Sequence, residues 1–211
     1  MSSYTIPSVL ESTPKGERVS DVFSRLLSER IVFIGTPIDD GVANVVIAQI
    51  LHLAAASPTD IHLYVNSPGG SFPAMMAIYD TMQFVGPDVA TLCVGQAAST
   101  SAILVAAGAP GKRSLLPHAR VVLHQPHLPG SQGSLSDLAL EAAEAARIRA
   151  IAEGLLAAHT GRTAEQIRAD TDRALVLNGD DAVSYGVVDQ VVERATLPGE
   201  EHRTTALRPG S

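Results

Sequence analysis

Three short segments of the chain carry residue types that can cooperate in acyl transfer. Ser99 closes Gly95-Gln96-Ala97-Ala98-Ser99, His124 opens His124-Gln125-Pro126, and Gly69 and Gly70 close Asn66-Ser67-Pro68-Gly69-Gly70. A serine hydroxyl can attack a carbonyl carbon, an imidazole can take the hydroxyl proton, and glycine backbone can donate hydrogen bonds to the oxyanion that forms. Ser99 precedes an Ala-rich apolar stretch that reads as a helix. At such a junction backbone N–H groups and the helix dipole converge, which favours developing negative charge. Each segment also has an ordinary reading. Serine is a preferred helix N-cap, glycine pairs serve positive-φ turns, and a lone histidine at a strand end is more often structural.

The elements that would position these residues alternate in type. A short amphipathic helix is predicted over Asp21 to Glu29, followed by a buried strand Ile31–Ile34. Asp39 or Asp40 can cap a helix ending near Pro58, and Ile61, Leu63 and Val65 alternate with His62 and Tyr64 as a strand. A helix from Pro73 to Val85 follows, then a strand Val89–Val94 that breaks at Gly95, and then the helix opened by Ser99. Val121 to Leu123 read as a strand ending at His124, and residues 128–134 as a loop. Ser136 to His159 is long enough for about six helical turns. Thr163 with Gln166 forms a capping box for a further helix, and Val187, Val188, Val191 and Val192 close the core. The class is α/β. In such folds strand ends gather functional residues, so the three segments can meet at one site. The Ala-rich 136–159 helix has few large apolar residues, and composition does not separate a helix packed on its own domain from one that packs on another subunit.

Bulk properties narrow the function class. With 211 residues, 45% hydrophobic and 18% charged, the chain suits one globular domain with a sizeable core. We expect an N-terminal arm over 1–18, rich in turn formers and mobile, a domain over 19–195 and a disordered tail over 196–211. A net charge of −7, with lysine only at positions 15 and 112, argues against nucleic acid as a partner. Cys93 is the single cysteine, so no disulfide framework exists and a reducing, cytoplasmic compartment is expected. No apolar run reaches membrane-spanning length, and no secretory signal opens the chain.

From about Gly16 to Glu193 the ordered motifs resemble those of the ClpP family, the proteolytic subunits of the Clp protease. They are the stretch Ser24 to Gly35, Asn66-Ser67-Pro68-Gly69-Gly70, Ile78 to Phe84, Gly95 to Ser99, His124-Gln125-Pro126 and Tyr185 to Asp189. The resemblance implies a crotonase-like fold of repeated β-β-α units, with the long helix as a projecting handle that interlocks two stacked heptameric rings. It also implies Ser99 as nucleophile, His124 as general base, and the backbone amides of Gly70 and Thr100 as the oxyanion hole. The chemistry needs no metal or cofactor; ATP is consumed by a partner AAA+ unfoldase of the ClpX, ClpA or ClpC type. Tyr64, Phe84, Leu92, Val94 and Leu116 match the family's apolar pocket for that partner.

The chain departs from the family at four places. Thr100 stands where a larger apolar residue, often Met, is usual; since the N–H is the working group there, substrate fit should change more than oxyanion binding. Asp170-Thr171-Asp172-Arg173-Ala174 puts alanine where the family has the aspartate that holds the histidine. Alanine cannot fix the imidazole tautomer, and loss of that role can cost roughly 10⁴ in turnover. Asp172 is the nearest carboxylate that a shifted backbone could bring in, although Asp172-Arg173 also matches the family's acid–arginine contact between rings. Finally, His62 and Ser114 occupy two docking-pocket positions where aromatic rings are common. Three readings follow: a Clp-type serine endopeptidase weakened by Ala174, an impaired structural or regulatory subunit that completes a mixed ring with a paralogue, and an acyl-CoA enzyme of the same fold.

Overall fold

The computed structural model describes residues 5–13, 16–125 and 134–194. The expected tail over 196–211 and most of the expected 128–134 loop lie outside these residues. Where the sequence predicts an arm, β1 (Ser8–Thr13) and β2 (Gly16–Asp21) pair antiparallel from Ser8↔Asp21 to Thr13↔Gly16. Such a ladder is made by backbone groups, so a polar sequence without apolar periodicity can form it. Asp21 then caps α1 (Val22–Ser28), its carboxylate accepting from the N–H groups of Phe23 and Ser24.

The main body alternates strand and helix: β3 (Ile31–Ile34), α2 (Asp40–Ala56), β4 (Ile61–Ser67), α3 (Phe72–Phe84), β5 (Val89–Ala98), α4 (Thr100–Ala106) and β6 (Arg113–Leu115). Then come β7 (Arg120–Leu123), the 26-residue α5 (Leu135–Thr160), α6 (Ala164–Asp170), β8 (Leu175–Asn178), α7 (Gly179–Tyr185) and β9 (Gln190–Val191). The sheet runs β3-β4-β5-β6-β9 with every pair parallel; β7 also pairs parallel with β5, and β8 antiparallel with β7. Ile61, Leu63 and Val65 of β4 are buried in one core with Val46 and Ile50 of α2 and Met75 and Ile78 of α3. All seven residues of α4 are buried, so this short helix is internal.

Several short elements escape periodicity. β6, β8 and β9 have two to four residues each, below the length at which alternation is visible. Cys93 is buried in β5 as expected, and burial pushes its thiol up to about 12, so it stays protonated. Among the described residues, no helix is long and apolar enough to cross a membrane.

Two charged clusters fix α5. The guanidinium of Arg113 is held by both carboxylate oxygens of Asp189 (3.1 and 2.6 Å). It also donates to the carbonyls of Ala106 (3.2 Å), His159 (2.7 Å) and Gly186 (2.9 Å), at or beside the C-terminal ends of α4, α5 and α7. Those ends carry partial negative charge, so one forked cation serves three helices. Farther along α5, the buried Glu153 accepts from Arg149 (2.7 Å) and from Arg168 of α6 (2.7 Å). Burial by itself raises the Glu153 carboxyl, but the hydrogen bonds from Arg168 and Arg149 outweigh it and leave it below its ordinary 4.5. A carboxyl lowered by folding contributes stability above its unfolded value and loses it as pH falls through the lowered one. Glu153→Gln should therefore cost about 1–3 kcal/mol at pH 7. Urea titrations over a pH series should show that difference shrinking as pH falls below 4.5.

Candidate active site

The strand that leads to Ser99 does not stop at Gly95. β5 continues through Gly95 to Ala98 but changes neighbours: Thr91 to Cys93 pair with β6, and Gln96 to Ala98 pair with β7. The exchange follows a register shift against β4 between Val65 and Ser67. Asn66 sits at the bend, its Oδ1 accepting from the Gln96 N–H (3.2 Å), and a Cβ on Gly95 would lie 2.6 Å from that oxygen. The glycine that reads as a strand terminator is thus the point where the strand swings to a new partner.

Ser99 follows with φ 56° and ψ −123°, a backbone conformation that a residue with a Cβ rarely adopts. Its N–H is tied to the Val122 carbonyl (2.9 Å), which holds the turn. Ser99 stands at the N-cap position of α4, yet its side chain makes no cap hydrogen bond. The hydroxyl that ties down the backbone here lies two residues later. Ser101, fully buried, accepts from the Ala98 N–H (2.9 Å) and donates to the Ser67 carbonyl (2.8 Å). Sequence reasoning gave Ser101 no role, although a serine inside an otherwise apolar buried helix is itself a signal, since buried hydroxyls need partners.

Gly69 and Gly70 lie against this turn. A Cβ on Gly69 (φ +94°) would meet the Ala98 carbonyl oxygen at 2.5 Å and the Thr100 nitrogen at 3.1 Å. One on Gly70 (φ +156°) would meet the Ile38 carbonyl oxygen at 2.2 Å. Ile38 bridges to the peptides on either side of Gly70: its N–H donates to the Gly69 carbonyl (2.9 Å), and its carbonyl accepts from the Ser71 N–H (2.8 Å). In such a parallel bridge the N–H and C=O of Gly70 itself face the other way. The Gly70 carbonyl accordingly accepts from the Thr100 hydroxyl (3.5 Å), which sets the Gly70 N–H on the Thr100 side. Ser67 supports the turn, donating to the Thr36 carbonyl (2.7 Å) and accepting from the Gly69 N–H (3.1 Å).

Ser99, Thr100, Gly70 and His124 line one cavity of about 450 Å³. Its apolar wall comes from Phe72, Ile103 and Leu123, with Ala152 and Leu156 from the base of α5. The long helix therefore contributes to the site, which its composition did not announce. The lining thus brings Ser99 and His124 together with Gly70 and Thr100 around space for an apolar side chain.

The surroundings of His124 follow from the β7–β8 ladder. β7 and β8 pair from Arg120↔Asn178 to Leu123↔Leu175, and continuing that register sets His124 opposite Ala174 and Gln125 opposite Arg173. Alanine thus stands across from the histidine at the next step of that register. Asp172, the candidate substitute, is occupied elsewhere: its Oδ1 (3.2 Å) and main-chain carbonyl (3.1 Å) both accept from the Gln125 side-chain amide. The His124 Nδ1 meets the Gln125 main-chain carbonyl at 2.7 Å.

Of the residues matched to a docking pocket, Tyr64, Leu92 and Val94 lie on β4 and β5. Tyr64 and Leu92 are paired across β4 and β5, and Leu92 pairs in turn with Ser114 of β6. The Leu116 N–H donates to the Cys93 carbonyl (3.0 Å), and Val94 is half-buried on the same strand as Leu92. Phe84, at the end of α3, is 82% exposed.

Comparison with known proteins gives the family. The family model described as Clp protease matches residues 14–195. The chain is 58% identical over 193 residues to the ATP-dependent Clp protease proteolytic subunit 4 of Rhodococcus jostii, covering 91% of this chain and 99% of the relative. It is 59% identical over 195 residues to proteolytic subunit 2 of Streptomyces avermitilis (92% and 98%) and 54% identical over 197 residues to proteolytic subunit 1 of Corynebacterium glutamicum (93% and 95%). On these grounds the chain belongs to the Clp protease family, as a ClpP-type serine protease subunit.

Proposed function

We propose that the chain supplies a serine endopeptidase site that cleaves unfolded polypeptides inside a ClpP-type assembly. The observation that carries this reading is Ser99, held at φ 56° with its hydroxyl free of capping duty, in one cavity with His124, Gly70 and Thr100. Ser99 Oγ attacks the scissile carbonyl carbon as His124 Nε2 takes its proton. The N–H groups of Gly70 and Thr100 hold the oxyanion, and donors of this kind are each worth about 10²–10³ in turnover. Collapse breaks the C–N bond while His124 returns the proton to the leaving amine. Water, activated by His124, then releases the acid and restores Ser99. The apolar wall of Phe72, Ile103 and Leu156 suits an apolar side chain next to the cleaved bond. Thr100 brings a hydroxyl to that wall and adjusts its fit.

Ala174 favours a second reading as well. With no carboxylate opposite His124, the chain by itself turns over slowly and acts chiefly as a partner of a more competent paralogue in a mixed pair of rings. Asp172 and Arg173 would then serve the contact between rings, and the exposed half of α5 would interlock them. Tyr64, Leu92, Val94, Leu116 and Phe84 would accept an apolar loop of an AAA+ unfoldase, less tightly than in relatives because His62 and Ser114 supply no ring. The setting is the cytoplasm.

A fluorophosphonate should label the chain at Ser99, and Ser99→Ala should abolish labelling; absence of label in every assembly, with or without a paralogue, sinks the endopeptidase reading. Ala174→Asp should raise peptidase turnover by at least about tenfold, given what this position is worth in serine proteases. An unaltered, already rapid wild-type rate would instead remove the case for an accessory subunit. Gly70→Ala, whose Cβ cannot fit beside Ile38, should displace the oxyanion donor and lower turnover by about 10²–10³, read in peptide hydrolysis assays.

A further inference from the structure

We propose that Gln125 is the positioning residue of this site: its main-chain carbonyl takes the place of the missing carboxylate in orienting His124, and its side chain, anchored on Asp172, holds that carbonyl still. The inference rests on the reading of Ser99 and His124 as nucleophile and base.

The geometry runs from the proton outward. A carbonyl oxygen has no hydrogen to give, so the 2.7 Å contact between His124 Nδ1 and the Gln125 carbonyl is a hydrogen bond only when Nδ1 carries the proton. In the neutral ring this leaves the lone pair on Nε2, the tautomer that a base toward Ser99 requires. An aspartate opposite His124 would select the same tautomer, and Ala174 cannot. The carbonyl belongs to the residue next in sequence, so it is always near the ring; its direction has to be fixed by something else. The Gln125 amide does this by donating to two acceptors on one residue, the Asp172 carbonyl (3.1 Å) and Oδ1 (3.2 Å). The link bridges the residues just beyond the last pair of the β7–β8 ladder, so it extends an arrangement that the sheet already holds. A neutral carbonyl sets the tautomer yet stabilises the imidazolium less than a carboxylate does, which accounts for a site that is oriented but slow.

The test uses the full chain, assembled with a paralogue where assembly requires one. With ¹⁵N-histidine labelling, and His124 identified by its loss in His124→Asn, the wild-type ring should show protonated Nδ1 and unprotonated Nε2. Gln125→Ala should give a mixture of tautomers. It should also lower kcat for peptide hydrolysis and the rate of Ser99 labelling by about tenfold with KM unchanged, as expected when a reacting group loses its orientation. In the Ala174→Asp background the carboxylate takes over, and Gln125→Ala should cost no more than about twofold, a coupling that a merely structural role does not produce. A wild-type ring protonated on Nε2, or an equal cost of Gln125→Ala in both backgrounds, overturns the proposal. A protonated Nδ1 together with no labelling of Ser99 in any assembly supports the orientation by Gln125 and overturns only the nucleophile reading.

Discussion

Everything at the site depends on how closely two stretches of backbone approach each other. Gly69 lies against Ala98, Ser99 and Thr100, and Gly70 against Ile38, with no room for a β-carbon on either glycine. That closeness sets the two candidate oxyanion donors on one wall of a single cavity. It is bought with glycine's conformational freedom and secured by hydroxyls. Ser67 ties the turn to Thr36, and Ser101 ties the end of β5 to Ser67. Ser99 can occupy an unfavourable backbone conformation because its N–H is held by Val122 and the strand before it is locked by Ser101. Preorganisation here is a property of main chain and small buried hydroxyls, and no large side chain is asked to provide it.

The histidine side of the site is built on different terms. β7 carries His124 to the cavity, and its two neighbours, β5 and β8, fix the strand's position but not the ring's rotation. Substituting Ala174 for an acid leaves the sheet untouched, because the β7–β8 ladder is made by backbone.

Much of this was legible in the sequence. The α/β class, the capping box at Thr163, the alternation of Ile61, Leu63 and Val65, and the meeting of three strand-end motifs at one cavity all followed from periodicity, turn chemistry and family likeness. What escaped did so for identifiable reasons. The bend at Gly95 reads as a strand end, because a change of strand partner leaves no mark on periodicity. The β1–β2 hairpin was missed because its pairing rests on backbone groups rather than an apolar face. The link from Gln125 to Asp172 joins residues 47 positions apart and is set by register, which no local pattern encodes.

The Arg113 guanidinium binds the last turns of α4 and α5 to the same point, along with the end of α7 and Asp189. Mechanically this is a pivot. α5, at 1.5 Å per residue, is a lever of roughly 39 Å whose fulcrum also grips the helix that begins beside Ser99. A displacement of the long helix and one of the helix behind Ser99 therefore share a single partly buried cation as their common point of attachment.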